Sequence, residues 1–106
     1  MRISVVLPLF NEADNLQPLY ERLSATLDRI ACDYELIFVD DGSTDDSVRI
    51  LERLADADPR VKYLSFSRNF GHEIASTAGL DMADGDAVVL MDADLQDPPE
   101  LIERLL

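Results

Sequence analysis

Hydrophobic positions along the chain follow two alternating rhythms, short continuous runs and a spacing of three or four residues. Four runs rich in β-branched residues, Ile3 to Leu7, Glu35 to Val39, Val61 to Phe66 and Ala87 to Met91, read as strands. Between the first two, Leu16, Leu19, Tyr20, Leu23, Leu27 and Ile30 recur at helical spacing. Val48, Leu51 and Leu54 do the same after the second run, with Ser43 or Thr44 as a cap and Pro59 as a stop. A third helix is predicted from Glu73 to Ala83, with Ile74, Ala78 and Met82 on one face and Gly85 just past its end. A fourth starts at Pro98 or Pro99, where proline is tolerated, and is still running at Leu106.

Strand and helix thus alternate four times. That order predicts an α/β fold, a Rossmann-like and mostly parallel sheet with helices on both faces and right-handed crossovers. Residues 1–106 form one domain, without repeat or linker, and the pattern's end inside a helix leads us to expect a chain truncated at its C-terminus. No apolar run approaches the roughly 20 residues of a membrane span. Met1 to Leu7 reads as a strand and not as a signal peptide.

The formal charge of −13 excludes nucleic acid or an anionic membrane surface as a partner bound through a basic face. A phosphate ligand would need a metal as intermediary. Cys32, the single cysteine, has no internal disulfide partner and no Cys or His neighbour at ligand spacing, so it is expected in or near the core and suits a reducing compartment.

Ligands of open parallel sheets bind outside the carboxyl ends of the strands. The residues expected there are polar: Pro8-Leu9-Phe10-Asn11-Glu12, Asp40-Asp41-Gly42-Ser43-Thr44-Asp45, Ser67-Arg68-Asn69-Phe70-Gly71-His72 and Asp92-Ala93-Asp94-Leu95-Gln96-Asp97. Asp92 and Asp94, one residue apart at a strand's end, can both approach one hard cation, and Mg²⁺ or Mn²⁺ takes carboxylates together with substrate phosphates and water. A solvated acidic turn is the plainer reading of such a pair.

Asp41 can accept from the ring N–H of a base such as uracil, whereas Asp40 can equally serve only to shape the turn at Gly42. Phe10 offers a flat face to a base, and Glu12 an acceptor, although Asn11-Glu12 can also cap the first helix. Arg68 can reach a phosphate, and His72 is open between a phosphate partner, a helix-start residue and a bystander.

In these motifs the chain resembles the family 2 glycosyltransferases with the GT-A fold: VVLPLFNE, FVDDGSTD and SRNFGHEIASTAGLDMADGDAVVLMDADLQDPPE, four ordered motifs at matching strand ends. The RNFG and DADLQDPPE segments are most similar to the polyprenyl-phosphate branch, with its dolichol-phosphate mannose synthases and undecaprenyl-phosphate glycosyltransferases. The resemblance implies that Pro8, Phe10, Glu12, Val39 and Asp41 surround a nucleoside. It also implies that Asp92, Ala93, Asp94 and Gln96 lie along its diphosphate and metal. Phe10 stands where many relatives have tyrosine. Family members carry acceptor-binding residues, a further basic residue for the diphosphate and often membrane helices beyond this point.

The activity so implied is inverting transfer of a sugar from a nucleotide diphosphate sugar, UDP-linked by preference and GDP-mannose as the alternative. Asp94 and Asp92 are its catalytic metal ligands, with Mn²⁺ or Mg²⁺ as cofactor. The acceptor implied is a lipid phosphate, which needs no general base because a phosphate monoester is largely ionised at neutral pH. The domain is expected in the cytoplasm, its longer parent at the cytoplasmic face of a membrane, with a homo-oligomer left open. Two other readings compete. A binding module would hold nucleotide and metal without turnover. A phosphoacceptor receiver domain, or a haloacid-dehalogenase-like phosphatase, would want its acidic pair after the first strand, where this chain has Pro8, and a receiver would want a late lysine where this chain has only Lys62.

Overall fold

The computed structural model describes residues 2–30, 33–94, 98–100 and 102–103. Its elements are β1 (Arg2–Leu9), α1 (Ala13–Ile30), β2 (Asp33–Asp40), α2 (Ser47–Ala57), β3 (Val61–Ser65), α3 (His72–Met82) and β4 (Ala87–Leu90). The strands pair in the order β3-β2-β1-β4, all parallel. The α/β class, the parallel sheet and the helices on both of its faces are as the alternation predicts.

Alternating side chains divide β1 and β2 between two cores. Ile3, Val5, Leu7 and Leu9 of β1, with Tyr34, Leu36 and Phe38 of β2, meet Leu16, Leu19, Leu23 and Leu27 of α1 and Leu51 and Leu54 of α2. Val6, Ile37 and Val39 face the other way, onto Ala75 of α3. The central strands are therefore buried on both faces, which is why they read as continuous apolar runs and not as alternation. The leucine stripe carries α1 through Pro18, an exposed residue that supplies no backbone donor.

Two expectations are corrected. The inward face of α3 is centred on Ala75, Ser76 and Gly79, with Ala78 and Met82 partly buried beside it, whereas Ile74 is 53% exposed. The cause is close approach: a Cβ on Gly79 would lie 2.4 Å from Val6 Cγ1, so only small side chains fit between α3 and the sheet. Neither Ser43 nor Thr44 caps α2, whose N-cap residue is Asp46. The first free amide, that of Ser47, instead bonds to Asp45 Oδ1 at 2.9 Å. Gly85 lies just past the end of α3, as expected, and it passes so close to Ser4 that a Cβ would sit 2.6 Å from the Ser4 hydroxyl.

Beyond β4, Ile102 and Glu103 are helical, and their amides bond to the carbonyls of Pro99 and Glu100 at 3.2 and 3.3 Å. Ile102 is buried against the α1 side of the sheet. Cys32 lies outside the described residues, as does the rest of the predicted fourth helix. No described helix is long and apolar enough to cross a membrane.

The amino ends of the strands carry a closed polar network. Glu35, with no exposed surface, accepts from the Ser4 hydroxyl at 2.6 Å, Lys62 Nζ at 2.7 Å and the Asp84 amide at 3.0 Å, while Arg2 lies 3.4 Å away. Burial pushes its carboxyl upward, but the bonds from Lys62, Ser4 and Asp84 outweigh burial and hold it at about 2.

Candidate functional site

Helices α1 and α2 cover one face of the sheet and α3 the other, so the winding reverses between β1 and β4. A crevice at the carboxyl ends of strands is expected at that reversal. One of about 310 Å³ opens there, lined by Pro8, Leu9, Phe10, Glu12, Asp41, His72, Ala75, Asp92, Ala93 and Asp94. Among the described residues, its wall holds four carboxylates and one basic side chain, His72.

The walls are built by loops that hydrogen-bond to one another across the sheet edge. Asn11 adopts φ 54°, a left-handed conformation that asparagine tolerates. It turns the chain after β1 so that its Oδ1 accepts from the amides of Thr44 and Asp45 at 2.8 and 3.3 Å, and its own amide donates to Ser43 Oγ at 2.8 Å. Asp45 spans two helix starts, accepting from the Ala13 amide at 3.2 Å with one oxygen and from Ser47 with the other. Burial pushes the Asp45 carboxyl up, but the Ser47 and Ala13 bonds prevail and lower it.

The acidic pair after β2 divides its work. Asp40, 1% exposed, shapes the turn: it accepts from the Ser43 amide at 3.3 Å and from Ser65 Oγ at 3.1 Å. Asp41 reaches the other way, taking the Phe70 amide at 2.8 Å and the Gly71 amide at 3.1 Å, and so fixes the loop that enters α3. Gly42, at φ 75°, lets this turn press on that loop, since a Cβ would fall 2.2 Å from the Arg68 carbonyl carbon. Carboxylate oxygens accept more than one bond each, so Asp41 keeps acceptor capacity toward the crevice.

Of the residues singled out from the sequence, Pro8, Phe10, Glu12, Asp41, Asp92, Ala93 and Asp94 meet on this wall. Phe10 is 44% exposed, an unusual position for a large apolar ring. Glu12 holds Asn15 Nδ2 at 2.6 Å. Val39 and Arg68 are not on the wall. The Val39 side chain is buried beneath α3, and the Arg68 guanidinium stacks 4.6 Å from the centre of the Phe70 ring. Gln96 lies outside the described residues. His72, left open by the sequence, joins the wall, and its Nε2 is 3.0 Å from Asp92 Oδ1. The cross-loop roles of Asn11 and Asp45 were not read, although asparagine is enriched among residues of positive φ.

Among the described residues, no group of three or more His, Cys, Asp and Glu side chains is gathered as a metal cage. The wall offers carboxylate oxygens, donors that suit a hard cation sharing its shell with phosphate and water, and it lacks the nitrogen and sulfur set of zinc.

Comparison with known proteins agrees with this geometry. Residues 4–106 match the family model described as glycosyl transferase family 2. The uncharacterized glycosyltransferase YkcC of Bacillus subtilis (strain 168) is 51% identical over 106 residues, 100% of this chain and 33% of that protein. An undecaprenyl-phosphate 4-deoxy-4-formamido-L-arabinose transferase of Proteus mirabilis (strain HI4320) is 45% identical over 106 residues, 99% of this chain and 32% of the relative. Among solved structures, the mannosyltransferase PcManGT of Pyrobaculum calidifontis, in complex with GDP-Man and Mn²⁺, superposes with a TM-score of 0.75 at 25% identity, covering 92% of this chain and 33% of its own. The chain thus spans about a third of the length of the relatives it matches. With a family match running from β1 through the Asp92-Ala93-Asp94 segment and a parallel sheet that superposes on that of a solved mannosyltransferase, this chain belongs to glycosyl transferase family 2.

Proposed function

We propose that the chain forms the donor-binding part of a glycosyltransferase that, within a longer protein, passes a sugar from a nucleoside diphosphate to a polyprenyl phosphate by inverting displacement. The observation that carries this reading is the crevice at the winding reversal, where Asp92, Asp94, Glu12 and Asp41 surround an exposed aromatic ring. Support for the donor class comes from the solved mannosyltransferase bound to GDP-Man and Mn²⁺. Support for the acceptor comes from the undecaprenyl-phosphate relative.

In this account Phe10 and Pro8 form a platform for the base, and Glu12 and Asp41 accept from its N–H groups. Val39, with its side chain in the core, contributes backbone only. Ala93, buried between the two aspartates, leaves room for the diphosphate. Arg68 reaches a phosphate by leaving its stack on Phe70. Asp92 and Asp94, with Gln96 as a further oxygen donor, hold Mn²⁺ or Mg²⁺. When bound, the cation offsets the charge that builds on the departing diphosphate. An ionised phosphate acceptor attacks without a general base, so the chain supplies orientation and charge and not proton transfer. A UDP-sugar is the first candidate donor and GDP-mannose the second, and a donor made in the cytoplasm places the site on that side of the membrane.

Sugar transfer by the full-length protein, measured with undecaprenyl phosphate and with undecaprenol, tests the reading. Transfer to the phosphate alone, lost in Asp94→Asn, is the expected outcome. Nucleotide binding without transfer to either would leave a binding module in place of an enzyme.

A further inference from the structure

We propose that His72 is a positioning residue for the D-x-D segment: its Nε2–H holds one oxygen of Asp92 and thereby sets how that carboxylate meets a cation. The inference rests on the donor reading above and adds a residue that the family resemblance does not assign.

The contact is directional. His72 Nε2 lies 3.0 Å from Asp92 Oδ1, and because an ionised carboxylate only accepts, Nε2 carries the hydrogen. With Oδ1 held by the ring, the rotation of the carboxylate is restricted, while its oxygens keep acceptor capacity for a cation. Behind the ring, Ser76 Oγ sits 3.5 Å from Nδ1 and donates to the His72 carbonyl at 2.9 Å, so the ring is backed by its own helix.

The backbone under His72 is fixed before the ring acts. Asp41 binds the amides of the two preceding residues, Gly71 turns at φ 107°, and the Ala75 amide closes the first turn on the Gly71 carbonyl at 3.1 Å. A hydrogen-bonded path therefore runs from Asp41 after β2, through the loop after β3, to Asp92 after β4. The loops after three strands are thereby linked, with the His72 ring as the contact to Asp92 Oδ1.

Magnitude favours orientation over stability as what this contact supplies. The His72 and Asp92 side chains are 62% and 54% exposed, and a pair so open to solvent adds little to folding. Partners that orient metal ligands are worth far more, since their loss commonly costs ten- to a hundredfold in metal affinity or activity.

His72 is the only histidine of this 106-residue chain, so in a sample of these residues its ring gives an unambiguous nitrogen resonance. In the ligand-free protein, Asp92→Ala should shift the His72 Nε2 signal, whereas an unchanged signal would overturn the contact. Mn²⁺ binding, followed by electron paramagnetic resonance with UDP and in parallel with GDP, then tests the role. His72→Ala should weaken Mn²⁺ about tenfold or more. His72→Gln, which keeps an N–H at the same reach, should restore most of that loss. Wild-type affinity in His72→Ala would sink the positioning role and leave the donor reading intact, and so would a Gln variant as weak as the Ala variant. If the wild-type protein takes up no Mn²⁺ with either nucleotide, the donor reading fails and the positioning role falls with it, whatever the resonance shows.

Discussion

The two ends of the sheet treat their charges in opposite ways. At the amino ends, Glu35 is met by Lys62, Arg2, Ser4 and the Asp84 amide, and a buried carboxylate is satisfied from within the fold. At the carboxyl ends, Glu12, Asp41, Asp92 and Asp94 share one crevice with the His72 imidazole among the described residues. A fold that buries and neutralises acid at one end while crowding it at the other separates stability from binding. Cations that serve the first end are side chains; the second suits a cation brought from solution with its phosphate.

Substitutions at each end should therefore fail in different assays. The largest effect is expected at Asp94: Asp94→Ala should lower metal-dependent nucleotide affinity about a hundredfold, roughly 2.7 kcal/mol, while changing folding stability by no more than about 1 kcal/mol. Calorimetry beside urea denaturation separates the two, and a large stability loss would dissolve the contrast. At the opposite end, Glu35→Ala strands the Ser4 hydroxyl and the Asp84 amide in a buried site and should cost about 3 kcal/mol of stability. Nucleotide affinity measured well below the melting temperature should stay put.

Acid sharpens the same contrast. Glu35 is held at about 2, where bonds from Lys62 and Ser4 outweigh burial, and Asp58 at about 2 chiefly by the Arg60 guanidinium, against burial and with help from Tyr20. Both carboxyls sit below their ordinary values, so the stability they contribute is full above about pH 4.5 and is lost as pH falls toward 2. Denaturant midpoints at pH 7, 4 and 2.5 should fall mainly across the last interval. Glu35→Gln should flatten part of that fall, and an unaltered profile would remove Glu35 from the account.

The smallest effect is expected at the aromatic wall. Phe10→Ala removes a stacking face and should weaken nucleotide binding about fivefold, near 1 kcal/mol, with stability nearly unchanged because the ring is already half exposed. Equal affinities by calorimetry would move the base elsewhere.

Most of this architecture was legible. Parallel strands covered on both faces must be apolar almost throughout, so β1 and β2 announced themselves, and the leucines of α1 kept a period that only a helix satisfies. The crevice followed from polar residues placed just after the strands. What escaped depends on distance in space. The inward face of α3 is set by how near Val6 comes to Gly79, a spacing that hydrophobicity does not encode. The starts of α1 and α2 share Asp45, and the two helices begin more than thirty residues apart. The stack of the Arg68 guanidinium on the Phe70 ring was likewise not read, since a basic residue after a strand does not show where its side chain rests.

The central claim, that the acidic crevice is a donor site completed by a cation, is tested most directly by titrating UDP and GDP into the protein with Mn²⁺ and again with chelator. Saturable binding of one nucleotide that vanishes on chelation is the predicted result. Binding of equal strength without metal, or no binding to the full-length protein under either condition, would contradict it.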